Sequence, residues 1–122
     1  MSSEEQVPVT EQLTDNTDRG RFELRRNDDL VGWLYYLHLK PNRYVLRHTE
    51  VETSHQHRGV ASAVARQVLD EVRSRGGTIT AICPFVVDYL SRTSAHTDLV
   101  DARHPGYTDR ASAEAAQAAA GG

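Results

Sequence analysis

The sequence predicts an α/β fold with a mixed sheet, in which an antiparallel meander leads into a parallel strand-helix-strand crossover. Three observations carry that expectation. From Arg21 to Thr53 the apolar residues recur with a period of two, interrupted by turn residues at Asn27-Asp28-Asp29 and Lys40-Pro41-Asn42-Arg43. From Val60 onward the period changes to four, with Val60, Val64, Val68 and Val72 on one stripe and Ala61, Ala65 and Leu69 beside it. Gly76-Gly77 then stops that helix before a short β-branched stretch, Thr78 to Ile82, and a strand-helix-strand unit of this kind closes as a right-handed parallel crossover.

The elements follow in order. Residues 1 to 18 are polar and acidic with few large apolar groups, so they are expected to be a disordered leader that cannot offset its own ordering entropy. Arg21 to Arg26 alternates Phe22 and Leu24 with charged neighbours and opens a hairpin at Asn27. Leu30 to Leu39 is the second strand of the meander. Val31, Trp33, Tyr35, Leu37 and Leu39 fall on one face and Leu34 and Tyr36 on the other, which predicts a central strand covered on both sides. Tyr44 to Thr53 is the third, rich in valine and β-branched residues. After Cys83, Pro84 suits the first turn of a second helix that carries Phe85, Val86, Tyr89 and Leu90 and ends near Arg92 or Thr93. The far end is alanine-rich, with no large apolar residue after Ala111. The domain is therefore expected over 19–105, with 106–122 as a flexible or weakly helical tail.

Composition narrows the function. A chain of 122 residues with 39% apolar residues closes one core, not two. The formal charge of -3 comes without a basic run, so nucleic acid and anionic membrane surfaces are not expected partners. One cysteine makes no internal disulfide, and neither a signal-like nor a membrane-length apolar run is present. A cytoplasmic, reduced setting is expected. His55 and His57 form H-x-H without a thiolate or carboxylate cluster at ligand spacing, so no metal is expected there.

The turn Gln56-His57-Arg58-Gly59-Val60-Ala61 sits where a strand gives way to a helix. A helix start has backbone N–H groups without intrahelical partners and a partial positive charge, so it favours a phosphate ligand. Gly59 permits backbone geometry or close approach that a Cβ obstructs, Ala61 and Ser62 keep the helix entrance small, and Arg58 adds charge. Without further motifs, the turn is equally an ordinary strand-to-helix connection whose glycine only shapes the backbone.

The spacing Q-x-x-G-x-A over Gln56 to Ala61 resembles the coenzyme-binding motif of the GNAT superfamily of N-acetyltransferases. His48-Thr49-Glu50-Val51 before the turn and Cys83-Pro84-Phe85-Val86 after the next strand extend the likeness to its short, single-domain members with a Cys-Pro-aromatic segment. The resemblance covers roughly residues 20 to 100. It implies a GNAT-like sheet split open between the Tyr44 to Thr53 and Thr78 to Ile82 strands. Acetyl-coenzyme A would lie in the cleft as co-substrate, its pantetheine amides pairing with the backbone near Glu50 and Val51 and its pyrophosphate on Gln56, His57, Arg58, Gly59, Val60, Ala61 and Ser62. The acceptor region is truncated: larger relatives carry helices between the first two strands, where this chain has only Asn27-Asp28-Asp29. The acceptor is therefore an unidentified amine, small molecule or protein side chain, at a site that is open or completed by another chain.

Acetyl transfer from a thioester needs a neutral amine, stabilisation of the oxyanion and a proton for the thiolate. His48 and Glu50 lie two apart on one strand and share a face, so either is a candidate base, or else a solvated strand residue. N–H groups near Val51 are candidates for the oxyanion. Cys83 falls at a helix N-cap, a setting that lowers a thiol pKa, and is read either as a nucleophile that takes the acetyl group first or as a small buried apolar residue. Tyr89 is read as a proton donor to the thiolate or as a packing aromatic. Three functions stay open: an acetyltransferase, a coenzyme A-binding module without turnover, and an interaction domain.

Overall fold

Asn27 and Asp28 both take positive φ, 50° and 73°, the combination that turns a tight hairpin without splaying its strands. On either side of this turn the computed structural model, which describes residues 10–121, builds a sheet in the order β1-β2-β3-β4-β5. The strands are β1 (Glu11–Asn16), β2 (Arg21–Arg26), β3 (Asp29–Leu39), β4 (Arg43–Val51) and β5 (Thr78–Ala81). Helix α1 (Val60–Ser74) connects β4 to β5, and α2 (Pro84–Arg92) and α3 (Arg110–Gly121) follow. The first four strands are antiparallel neighbours and β4 pairs β5 in parallel, so the expected meander and crossover are both present.

The valine stripe does what its period implies. Val60, Val64, Val68, Leu69 and Val72 are buried against Phe22, Leu24, Leu34, Tyr44, Leu46 and Ile79, which form the core. Gly32 is what lets α1 approach so closely. A Cβ at that position would lie 2.8 Å from a Val60 methyl and 3.0 Å from a Val64 methyl.

Three expectations are corrected. The leader is not structureless throughout: 1–9 lie outside the described residues, but Glu11–Asn16 form β1 along the β2 edge. Polar contacts supply what its sparse apolar content does not, since Glu11 accepts from Arg26 at 2.6 Å and from Gln67 at 2.7 Å, while Asp15 accepts from the Tyr36 hydroxyl at 2.6 Å. The second correction concerns β3. It is central, but Leu37 and Leu39 are exposed, because helix α1 covers only the face of Gly32 and Leu34. Val31 leaves the expected face as well; it is the extra residue of a bulge opposite Leu24 and Arg25 and is buried in the core. Third, the stretch 106–122 contains a packed helix. Asp109 caps α3 through the Ser112 N–H at 2.8 Å, Ala113 is fully buried, and Gly106 forms a parallel bridge with Ala81 that extends the sheet edge.

Candidate functional site

Strand β4 changes character halfway along. From Arg43 to Leu46 it pairs with β3 on one side and β5 on the other. The N–H groups of Ile82 and Cys83 then both donate to the Leu46 carbonyl, at 3.0 and 2.9 Å, and past that point β4 has no β5 partner among the described residues. Arg47 is the extra residue of a second bulge, opposite Tyr35 and Tyr36. It resets the alternation, so that Thr49 is buried while His48 and Glu50 turn to the face away from α1.

The splay opens a cleft of about 620 Å³ lined by His48, Thr49, Glu50, Val51, Gln56, His57, Gly59, Val60, Ala61, Ser62 and Phe85. Every residue expected to hold a coenzyme therefore lines it except Arg58. That side chain lies in a separate depression with Glu11, Arg26, Asn27, Asp29 and His55, and its carbonyl accepts from the Arg26 guanidinium at 3.2 Å.

The turn between β4 and α1 is held from within. Glu52 caps the short 3-10 turn Thr53–His55, accepting from the Ser54 N–H at 3.0 Å and from the Ser54 hydroxyl, and these bonds hold its carboxyl below the usual range. His57 and Gly59 take left-handed φ of 65° and 73°. The first helical bond of α1 runs from the Ala63 N–H to the Gly59 carbonyl, which leaves the N–H groups of Val60, Ala61 and Ser62 at a helix start with no side-chain cap and no acid in its first turn. A Cβ added to Gly59 would meet nothing within 4 Å. The space above the turn is open, and the demand for glycine comes from φ.

The proposed catalytic groups do not all meet. Nε2 of His48 lies 3.2 Å from Glu50, the two side chains are about half exposed, and the His48 ring stacks over Tyr35 at 6.4 Å. Cys83 does sit at the N-cap of α2, but it is only 1% exposed, does not line the cleft, and its Sγ is 3.1 Å from Thr49 Oγ1. Thr49, which touches the thiol, does line the cleft. Tyr89 is half-buried in a small depression shared with Ala61, Ser62, Phe85, Asp88 and Arg92, its ring 5.8 Å from His96. It flanks the first turn of α1 but is not among the residues that line the cleft with Glu50.

Several contributors escaped the sequence reading. Gly32 seats α1; its signal was a lone glycine in an apolar strand. Phe85, 42% exposed, forms a wall of the cleft, and the Arg110 guanidinium lies 4.9 Å over its ring. The contacts of Arg26 with Arg58 and of Thr49 with Cys83 gave no local signal, since the partners are more than thirty residues apart.

Among the described residues no helix is long and apolar enough to cross a membrane. A sequence model of a family described as GCN5-related N-acetyl-transferase matches residues 21–99, from the start of β2 to just before the isolated bridge at Val100. No curated relative matches the chain.

Proposed function

The chain belongs to the GCN5-related N-acetyltransferase family, and from that premise we propose that it binds acetyl-coenzyme A in the β4-β5 cleft and moves the acetyl group to an amine. One observation carries this reading: the cleft ends on the uncapped start of a fifteen-residue helix, under open space at a left-handed Gly59. The pyrophosphate accepts from the N–H groups of Val60, Ala61 and Ser62, with Gln56 and His57 beside it. The partial positive charge of those unpaired N–H groups favours an anion there by roughly 0.3–1 kcal/mol. The pantetheine arm runs along the part of β4 that lacks a β5 partner, as an added strand does. Arg58 contributes its backbone to the turn and not its charge to the ligand.

Transfer is direct in this reading. The amine nitrogen bonds to the thioester carbonyl carbon, its proton passes to the His48-Glu50 pair, the oxyanion is met by N–H groups near Val51, and the C–S bond breaks to release the thiolate, which takes a proton from solvent. The burial of Cys83 outside the cleft lining supports the direct route over an acetyl-cysteine intermediate, and Tyr89 serves as a packing aromatic.

Calorimetry with coenzyme A, together with turnover of acetyl-coenzyme A on a panel of amines, tests the proposal. Saturable binding is expected. Gly59→Val should weaken it about a hundredfold, because a side chain there strains the turn and occupies the phosphate's space. Cys83→Ala should leave binding and turnover within about twofold of wild type. Loss of turnover with binding intact would select the covalent route, and binding with no transfer to any amine would select a coenzyme-binding module.

A further inference from the structure

A second pocket, of about 470 Å³, opens on the face of β4 away from α1 and is lined by Tyr35, Arg47, His48, Ile82, Gln117 and Ala120. His48 is common to this pocket and the cleft, so it stands at their junction. The outer wall is α3, which begins beyond the span matched by the family. Helix α3 is fixed there by three independent contacts. Ala113 is buried in the core, Arg110 reaches Asp88 and stacks on Phe85, and the Gln117 side-chain amide donates to the Arg47 carbonyl at 2.9 Å. That carbonyl belongs to the β4 bulge where the sheet splays, so α3 docks on the feature that creates the cleft.

The chemistry of the lining selects a ligand class. Ile82 and Ala120 are apolar, and Tyr35 stacks with His48 to give a flat aromatic wall. Arg47 is the pocket's cation. Its side chain is exposed, and among the described residues it forms no ion pair or hydrogen bond, unlike Arg21, Arg26, Arg73 and Arg75, each of which holds a carboxylate. An unpaired guanidinium favours a carboxylate and repels a diamine. Of the candidate base pair, His48 lines both this pocket and the cleft, and Glu50, 3.2 Å from its Nε2, lines the cleft.

Resting on the acetyl-transfer reading above, we propose that α3 supplies the acceptor wall absent between β2 and β3, and that the pocket takes a small apolar amine bearing a carboxylate. Arg47 holds the carboxylate and is the specificity-determining residue. The amine points past His48 to the thioester. Gln117 is a positioning residue that keeps α3 against the bulge.

The test compares kcat/KM for leucine and leucinamide, at saturating acetyl-coenzyme A, in wild type, Arg47→Gln and Gln117→Ala. Taking the leucine-to-leucinamide ratio within each protein and comparing it between proteins cancels the different basicities of the two amines. Arg47→Gln should lower the ratio about tenfold, through the KM for leucine, with the KM for acetyl-coenzyme A unchanged. Gln117→Ala should raise the KM for both amines about fivefold and again spare the coenzyme. A ratio that survives Arg47→Gln overturns the carboxylate assignment, and acceptor kinetics indifferent to Gln117→Ala overturn the role of α3. Coenzyme A binding without transfer to either amine overturns this acceptor pocket alone; failure to bind coenzyme A overturns the reading beneath it as well.

Discussion

The two faces of the sheet are made by different physics. Under α1 the surface is apolar and closed: Phe22, Leu24, Leu34 and Leu46 are fully buried, and Gly32 yields its side-chain space to two valine methyls. The opposite face is polar and aromatic. There Arg21 donates to Glu23 at 2.7 Å and to the Tyr35 hydroxyl at 3.2 Å, its guanidinium lies 4.8 Å over Trp33, and the row continues across β4 to His48 and Glu50. The closed face fixes where α1 begins, and therefore where the helix start aims its N–H groups. The open face holds the titratable groups and remains accessible for a second molecule. Stability and chemistry are thus divided between two sides of one sheet five strands wide.

Filling the gap on the closed face should have the largest effect on stability. Gly32→Val inserts atoms where even a Cβ would be 2.8 Å from Val60, and the packed helix has to move. A loss of about 3 kcal/mol is expected by urea denaturation, together with weaker coenzyme A binding because the first turn of α1 is displaced. Stability lost with coenzyme affinity unchanged would show that the start of α1 is not the coenzyme site.

A smaller, pH-dependent effect is expected on the open face. Glu23 is 4% exposed and accepts from Arg21, Asn16 and Arg25. Burial pushes its carboxyl up, but the bonds from Arg21 and Asn16 outweigh that and hold it below the usual carboxylate value. A depressed folded-state pKa contributes stability that is fully present above the unfolded value, about 4.3, and is lost as pH falls through the lower folded value. Glu23→Gln should therefore cost about 1 kcal/mol at pH 7, and the difference from wild type should shrink as pH is lowered below about 4.3. A cost that does not change with pH would mean that the network is held by shape and not by charge.

Apart from Gly32 and Val31, the closed face was legible in the sequence, and the open one was less so. The valine period, the Gly76-Gly77 stop and the Asn27-Asp28 turn are local signals, and each produced the element expected of it. The face of Trp33, Tyr35, Leu37 and Leu39 is apolar enough to suggest a second cover, yet Leu37 and Leu39 face solvent. Apolar alternation shows which residues share a face, not whether anything packs on it. The same limit applies at the site. The turn proposed for the coenzyme is contiguous, so that Gln56, His57, Gly59, Val60, Ala61 and Ser62 share one cleft follows from neighbours in sequence, whereas the contact of Cys83 with Thr49 joins distant parts of the chain. Residues 11–16 were missed because ion pairs with β2 and the end of α1, not an apolar run, hold β1 in place.

The most direct measurement is an NMR titration of the ¹⁵N-labelled protein with coenzyme A, following backbone N–H resonances. Saturable shifts are predicted, largest at Val60, Ala61 and Ser62, extending along Thr49 to Val51 and abolished by Gly59→Val. No saturable shift, or shifts confined to residues outside the cleft, would contradict the account.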